Sequence, residues 1–174
     1  MKTKQSKIPK SIYRPMHDDE FDLWGGLSSN DYVEDLMANH RYSRKKAQIE
    51  ASKSFKAALP AGINTQNNHF RTYEHDGQAA GYLWFSLEDN SAFLLDIMLL
   101  PEFQGKGMGR DFIRAFLNEL TQQGAYEVEL RVSPDNQRAL KLYKEFGFRI
   151  TGFDMSLLLG KVRISRSFLP KLTR

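Results

Sequence analysis

Leu99-Leu100-Pro101-Glu102-Phe103-Gln104-Gly105-Lys106-Gly107-Met108-Gly109-Arg110 joins two kinds of sequence that differ in period. Before it, Ala92–Leu100 is almost continuously apolar, the mark of a strand covered on both faces, and carries one charge, Asp96. After it, Met108, Phe112, Phe116 and Leu120 recur every four residues, with Ile113 and Leu117 beside them. That is an amphipathic helix over Gly107–Gln122, ended by Gly124. A helix N-terminus has unpaired backbone N–H groups and a partial positive charge, so an anion is stabilised there. Glycines at 105, 107 and 109 remove Cβ atoms and let a diphosphate approach the main chain, while Lys106 and Arg110 add positive charge. A strand–helix turn that needs glycine for its own geometry accounts for the same residues. Two phosphate motifs are excluded: Lys106 is followed by Gly107 rather than Ser or Thr, and the glycines are spaced G-x-G-x-G rather than G-x-G-x-x-G. A nucleotide hydrolase or a nicotinamide enzyme is therefore disfavoured.

Working upstream, Glu88-Asp89-Asn90-Ser91 and His75-Asp76-Gly77-Gln78 are turns that separate the strands Asn68–Glu74, Ala79–Leu87 and Ala92–Leu100. Leu59-Pro60-Ala61-Gly62 stops two helical segments, Asp18–His40 and Ser43–Leu59, with caps expected at Asp18 and Ser43. The first is expected to break near Gly25-Gly26, because glycine weakens a helix interior. Ser11–Met16 is a short first strand. Downstream, Tyr126–Val132 alternates between Val128, Leu130, Val132 and Glu127, Glu129, Arg131. Ser133-Pro134-Asp135 opens a second short helix, with Ser or Asp as its cap, carrying Leu140, Tyr143 and Phe146 and closing at Gly147. Phe148–Ile150 and Asp154–Leu159 are expected to complete the sheet. The order is mixed α/β, an antiparallel half followed by strand–helix–strand–helix.

The 174 residues suit one domain over 11–160, between a basic N-terminus 1–10 and a basic tail 161–174. The absence of cysteine excludes a disulfide framework, a thiolate zinc site and a cysteine nucleophile. The polar start leads into no apolar signal core, and no stretch approaches the roughly 20 apolar residues of a membrane span. A soluble, cytoplasmic chain without membrane contact is expected. The net charge of +4 is concentrated at the two ends, as solvated tails or as attraction for an anion. No aromatic-interleaved basic motif stands out, so no nucleic-acid partner is expected.

Gln104, Gly107 and Gly109 match the Gln/Arg-x-x-Gly-x-Gly/Ala cofactor motif of the GNAT superfamily of acyl-CoA N-acetyltransferases, which the chain resembles over roughly Ser11–Gly160. Asn136-Gln137-Arg138-Ala139-Leu140-Lys141-Leu142-Tyr143-Lys144-Glu145-Phe146-Gly147-Phe148 is similar to the family's Asn-x-x-Ala-x-x-x-Tyr…Gly-Phe signature. The resemblance implies a GNAT fold: a central mixed, mostly antiparallel sheet of six to seven strands, flanked by about four helices and splayed between the fourth and fifth strands. It implies acetyl-CoA as cosubstrate and no metal. Met98, Leu99 and Leu100 would face the pantetheine arm with backbone groups, as Asn136 would with its side chain. The backbone of Gln104, Gly105, Lys106, Gly107, Met108, Gly109 and Arg110 would take the pyrophosphate.

The reaction so implied needs a neutral amine, a polarised carbonyl and a protonated leaving thiolate. Tyr143, protonated at neutral pH, is the candidate proton donor to sulfur, packing alone being the other explanation of its position. Asp96 and Glu129 are candidate bases, with Glu127, His69 and His75 behind them. The acceptor is expected to be a small-molecule amine, or a protein lysine or N-terminus. Tyr32, His69, Tyr73, Tyr82 and Trp84 are candidates to line its cleft, with Tyr82 and Trp84 on one strand face. A non-catalytic acyl-CoA sensor is the alternative. Leu59–Gly62 through His69 resembles a subgroup of small bacterial members. Homodimers are common in the family, and Ile164, Phe168 and Leu169 of the tail would serve such a contact, a disordered end being the alternative.

Overall fold

Residues 11–156 are described by the computed structural model. The expected basic ends, 1–10 and 161–174, lie outside them, as do residues 157–159 of the last expected strand. In chain order the elements are β1 (Ser11–Pro15), α1 (Asp18–His40), α2 (Arg44–Ala58), β2 (Asn68–His75), β3 (Gln78–Glu88), β4 (Ser91–Leu99), α3 (Met108–Gln122), β5 (Glu127–Leu130) and α4 (Gln137–Glu145). The strands form one sheet in the order β1-β2-β3-β4-β5, antiparallel throughout except for the parallel pair β4–β5. That parallel pair is joined through α3, the crossover a parallel connection requires.

The hairpins follow turn chemistry. Asp76 and Gly77 take φ of 50° and 80°, and Asp89 and Asn90 take 49° and 63°, so both loops have two consecutive left-handed residues. That twist matches the right-handed twist of the strands they join.

One sheet face is covered by α3 and α4, the other by α1 and α2. On the first, Phe112, Ile113 and Phe116 of α3 bury themselves against Leu83, Phe85 and Leu94 of the sheet, with Tyr143 of α4 at the edge. On the second, Trp24 of α1 packs with Phe70, Tyr82 and Trp84. Val33 and Leu36 hold α1 against Ala47 and Ala51 of α2.

Three expectations need correction. First, α1 is unbroken at Gly25-Gly26. Two glycines cost about 2 kcal/mol of helix propensity, which the burial of Trp24 against the sheet and of Val33 and Leu36 against α2 outweighs. Second, caps shift by a residue or more. His17 rather than Asp18 caps α1, its N–H bonded to Glu20 Oε2 at 2.8 Å, and Asn136 rather than Ser133 or Asp135 caps α4, its Oδ1 accepting from the Ala139 amide at 3.1 Å. Ser43 caps α2 as expected. Third, the sheet has five strands among the described residues, not six or seven, because Phe148–Ile150 and residues 154–156 form none. The Phe148 amide bonds Tyr143 O, closing α4 instead of entering a ladder, and the Asp154 carboxylate is drawn onto Arg131 at 2.9 Å.

Candidate active site

β4 and β5 pair only over Ser91–Leu94 with Glu127–Leu130. Beyond Leu94 they part, for two local reasons. On β4, Phe85 faces Leu94 while Trp84 faces Asp96, so Leu95 is the extra residue of a β-bulge. A bulge bends its strand and shifts the side-chain alternation. Ala92 and Leu94 accordingly join the α3 core, whereas Asp96 and Met98 turn toward α1. On the β5 side the chain leaves the sheet at Arg131 and is pulled toward α1, where Asn39 Nδ2 donates to Ser133 Oγ at 2.9 Å. The gap holds a cavity of about 140 Å³ whose lining includes Asp96, Ile97, Arg131, Ser133, Asn136 and Tyr143.

The glycine turn follows the end of β4. Pro101–Phe103 makes one 3-10 turn, the Phe103 ring is buried, and Gln104 Nε2 donates back to Leu99 O at 2.8 Å. Gly105 and Gly107 have φ of 78° and 83°, and Gly107 is the residue from which α3 starts. A Cβ at either would meet no atom within 4 Å, so the protein's own packing leaves room and left-handed backbone is what selects glycine there. Gly109 differs: its Cβ would sit 3.6 Å from Leu142 Cδ2 and 3.7 Å from Leu99 Cδ1, ordinary contacts that alanine tolerates. The first intrahelical bond runs from Arg110 N to Gly107 O at 3.0 Å, which leaves the Met108 and Gly109 amides at the free end of the helix dipole. Lys106 lies 5.9 Å from the Phe103 ring, and Arg110 is ion-paired with Glu145 of α4, so Lys106 is the less committed cation.

Across the gap, the buried Tyr143 ring is set by an edge contact with Phe148 at 5.6 Å. Burial pushes its phenol up to about 12, and the charge of Asp96 adds to this. Burial also pushes Asp96 up, assisted by the charge of Asp31, while hydrogen bonds from Ser28, Trp24 and the Ile97 amide oppose the shift.

Other sequence-predicted residues are placed elsewhere. Glu129 and Glu127 are exposed, with Glu129 paired opposite Phe93, and neither lines the gap. His69 stacks on Phe85 at 4.8 Å, and His75 bonds Ser11 Oγ at 2.9 Å, both on the β1–β2 side of the sheet. Tyr73 is stacked on Phe112 inside the α3 core, and Tyr82 and Trp84 are buried together beneath α1. Tyr32 packs between α1 and α2. Residues the sequence did not reveal are Trp24 and Ser28, which reach Asp96, and Arg131, which lines the gap. Their signal was present as spacing: Trp24, Ser28 and Asp31 fall at i, i+4 and i+7 on one helix face, which an assumed break at Gly25-Gly26 conceals. Among the described residues no group of three or more metal-ligating side chains occurs, and no helix is long and apolar enough to cross a membrane.

Comparison with known proteins places this geometry. The sequence pattern of the acetyltransferase (GNAT) family matches residues 30–148. The N-acetyltransferase YycN of Bacillus subtilis is 27% identical over 147 residues, covering 82% of this chain and 94% of that protein. The crystal structure of YycN superposes with a TM-score of 0.81 over 86% of this chain and 99% of its own. Spermidine N-acetyltransferase from Vibrio cholerae, solved with CoA and spermine, shares the fold at a TM-score of 0.60 and 21% identity, over 82% of each chain.

Proposed function

The chain belongs to the GNAT acetyltransferase family and is an acyl-CoA-dependent N-acyltransferase, and we propose that it transfers an acetyl group from acetyl-CoA directly to a primary amine in the gap between β4 and β5. The observation that carries the reading is the convergence of Asp96 and Tyr143 on one cavity where the two strands part. Bound there, acetyl-CoA supplies the activated acyl group.

In this reading the main chain from Gln104 to Arg110 holds the pyrophosphate, with Lys106 as counter-charge. The edge of β4 beyond its pairing with β5, at Met98, Leu99 and Leu100, runs along the pantetheine arm, with the Asn136 side-chain nitrogen opposite. Asp96 accepts a proton from the amine, directly or through one water. Its raised pKa matters because a base near the working pH is most effective. As the C–N bond forms, the electrons of the C–S bond leave on sulfur, and the Tyr143 O–H is directed to that charge. A phenol at about 12 is less acidic than an ordinary thiol at about 8.5. Tyr143 therefore stabilises the departing thiolate chiefly by hydrogen bonding, and complete transfer of its proton is uphill. The acceptor is an amine, small or peptide-borne. Asp31 on α1, whose charge acts on Asp96, favours a cationic one, and a structural relative named for spermidine makes polyamines the first to try.

Isothermal calorimetry with acetyl-CoA, followed by thiol release across polyamines, amino sugars, amino acids and short peptides, tests the reading. Saturable binding with amine-dependent thiol release is expected. Binding without release for any amine would favour the sensor, and no binding would overturn the site.

A further inference from the structure

Trp24 has no solvent exposure and is boxed by Phe70 at 5.0 Å, Phe21 at 5.3 Å, Trp84 at 5.6 Å and Phe55 at 6.2 Å between ring centroids. An indole packed on so many sides has no room for a second rotamer, so its N–H is a fixed donor. It donates to Asp96 Oδ2 at 3.0 Å. One helical turn on, the buried Ser28 hydroxyl, and on β4 the Ile97 amide, also favour the charged form of this carboxylate. A carboxylate has about four acceptor positions. The Trp24 indole fills one of them.

Resting on the assignment of Asp96 as the base, we infer that Trp24 is a positioning residue for amine activation. Its indole N–H, with Ser28 behind it, holds the Asp96 carboxylate in one orientation and leaves acceptor positions open for the amine or its water. A buried indole N–H needs some partner in any case. Trp84, also buried, meets that need with the uncharged Asn68 Oδ1 at 2.6 Å, so satisfaction alone does not require a carboxylate at the mouth of the gap.

The arrangement also sets the charge state. Ionised Asp96 is opposed by burial and by Asp31 from α1, and its own charge acts on Tyr143 from α4. Arg131, the cation lining the gap, is held by Asp154 at 2.9 Å and Asp35 at 3.8 Å. From β3 the residue opposite is the uncharged Trp84. The stabilisation of the carboxylate therefore comes from neutral donors, and removing one raises the pH at which the base becomes active.

The chain has two tryptophans, so its ¹⁵N spectrum carries two indole resonances. Scanned over about pH 4 to 9, one should follow a single titration that vanishes in Asp96→Asn, while the other, assigned by Trp84→Phe, stays flat. In turnover with acetyl-CoA and spermidine, or the fastest amine of the panel, Trp24→Phe should move the acidic limb of the kcat profile upward by about one pH unit, a tenfold loss below the limb. KM for acetyl-CoA should stay within about twofold, and Trp24→Phe should cost nothing further in an Asp96→Asn background. Ser28→Ala should move the limb the same way, which keeps the test available if Trp24→Phe does not fold. Two flat indole resonances, or an acidic limb unmoved in whichever variant folds, would overturn the inference alone. Full turnover in Asp96→Asn would instead remove the base assignment, and this inference with it.

Discussion

Helix α1 meets two half-buried carboxylates, and they are solvated in nearly the same way. Glu20 in its first turn accepts the His17 amide at 2.8 Å, the Thr72 hydroxyl at 2.9 Å and the Arg14 guanidinium at 2.8 and 2.9 Å. Asp96 accepts the Trp24 indole at 3.0 Å, and the Ser28 hydroxyl and the Ile97 amide also favour its charged form. The two sets differ in one donor, a cation in the first and a neutral ring in the second. Burial pushes both carboxyls up, but the Arg14 bond and its neighbours reverse this at Glu20 and bring it down to about 2, while Asp96 stays raised. Hydrogen bonds alone offset part of a desolvation penalty, and a paired charge is what overturns it. The first carboxylate is thereby committed to holding β1, β2 and α1 together. The second keeps the capacity to take a proton.

Removing each carboxylate should separate the two roles. Asp96→Asn should lower kcat by about 10²- to 10³-fold with acetyl-CoA affinity unchanged by calorimetry. The same variant should be at least as stable as the parent at pH 7, because a carboxyl whose folded pKa is raised loses stability as pH climbs through it. A melt showing marked destabilisation, or an unchanged kcat, would erase the distinction. Tyr143→Phe comes next: kcat should fall about 10- to 100-fold through loss of the O–H aimed at sulfur, again without loss of acetyl-CoA binding. Weaker binding at undiminished kcat would make Tyr143 a packing residue.

Glu20→Gln should act on stability instead, costing on the order of 3 kcal/mol near neutral pH in denaturant unfolding, with the kcat of folded protein within about twofold. The sign follows from a folded pKa of about 2 against 4.5: the contribution is present above about pH 4.5 and lost as pH falls toward 2. The variant should therefore lose the parent's steep acid limb of stability, and a parallel limb would show that other groups carry it. Gly107→Ala is the smallest change. Left-handed backbone at φ 83° should cost about 1 kcal/mol of stability and raise KM for acetyl-CoA without moving the pH profile of kcat. A shifted profile there would mean that the phosphate end and the base are not separate.

Much of the fold was legible because its signals are local. The four-residue recurrence from Met108 to Leu120, the Asp76-Gly77 loop and the apolar β4 each state their own conformation within a few residues. The glycine turn was equally plain, since left-handed residues at 105 and 107 sit where glycine stands. The candidate base was visible as the lone charge in an apolar strand, but its surroundings were not. Glu129, also a carboxylate and one strand away, is exposed, and no local pattern ranks the two.

The chain by itself therefore determined the order of its elements from β1 to α4 and the glycine turn, because periodicity and backbone preference act over a turn or a ladder step; Asp96 stood out as the lone charge of an apolar strand, and the family resemblance put forward Tyr143. Tertiary structure decided the rest. A bulge at Leu95, set by pairing with β3, turned Asp96 toward α1; packing of Trp24 kept that helix whole through two glycines and delivered its N–H to the carboxylate. The Trp24–Asp96 bond joins residues 72 positions apart, and the free energy that fixes such contacts comes from burial and from charges brought together only when the chain has folded.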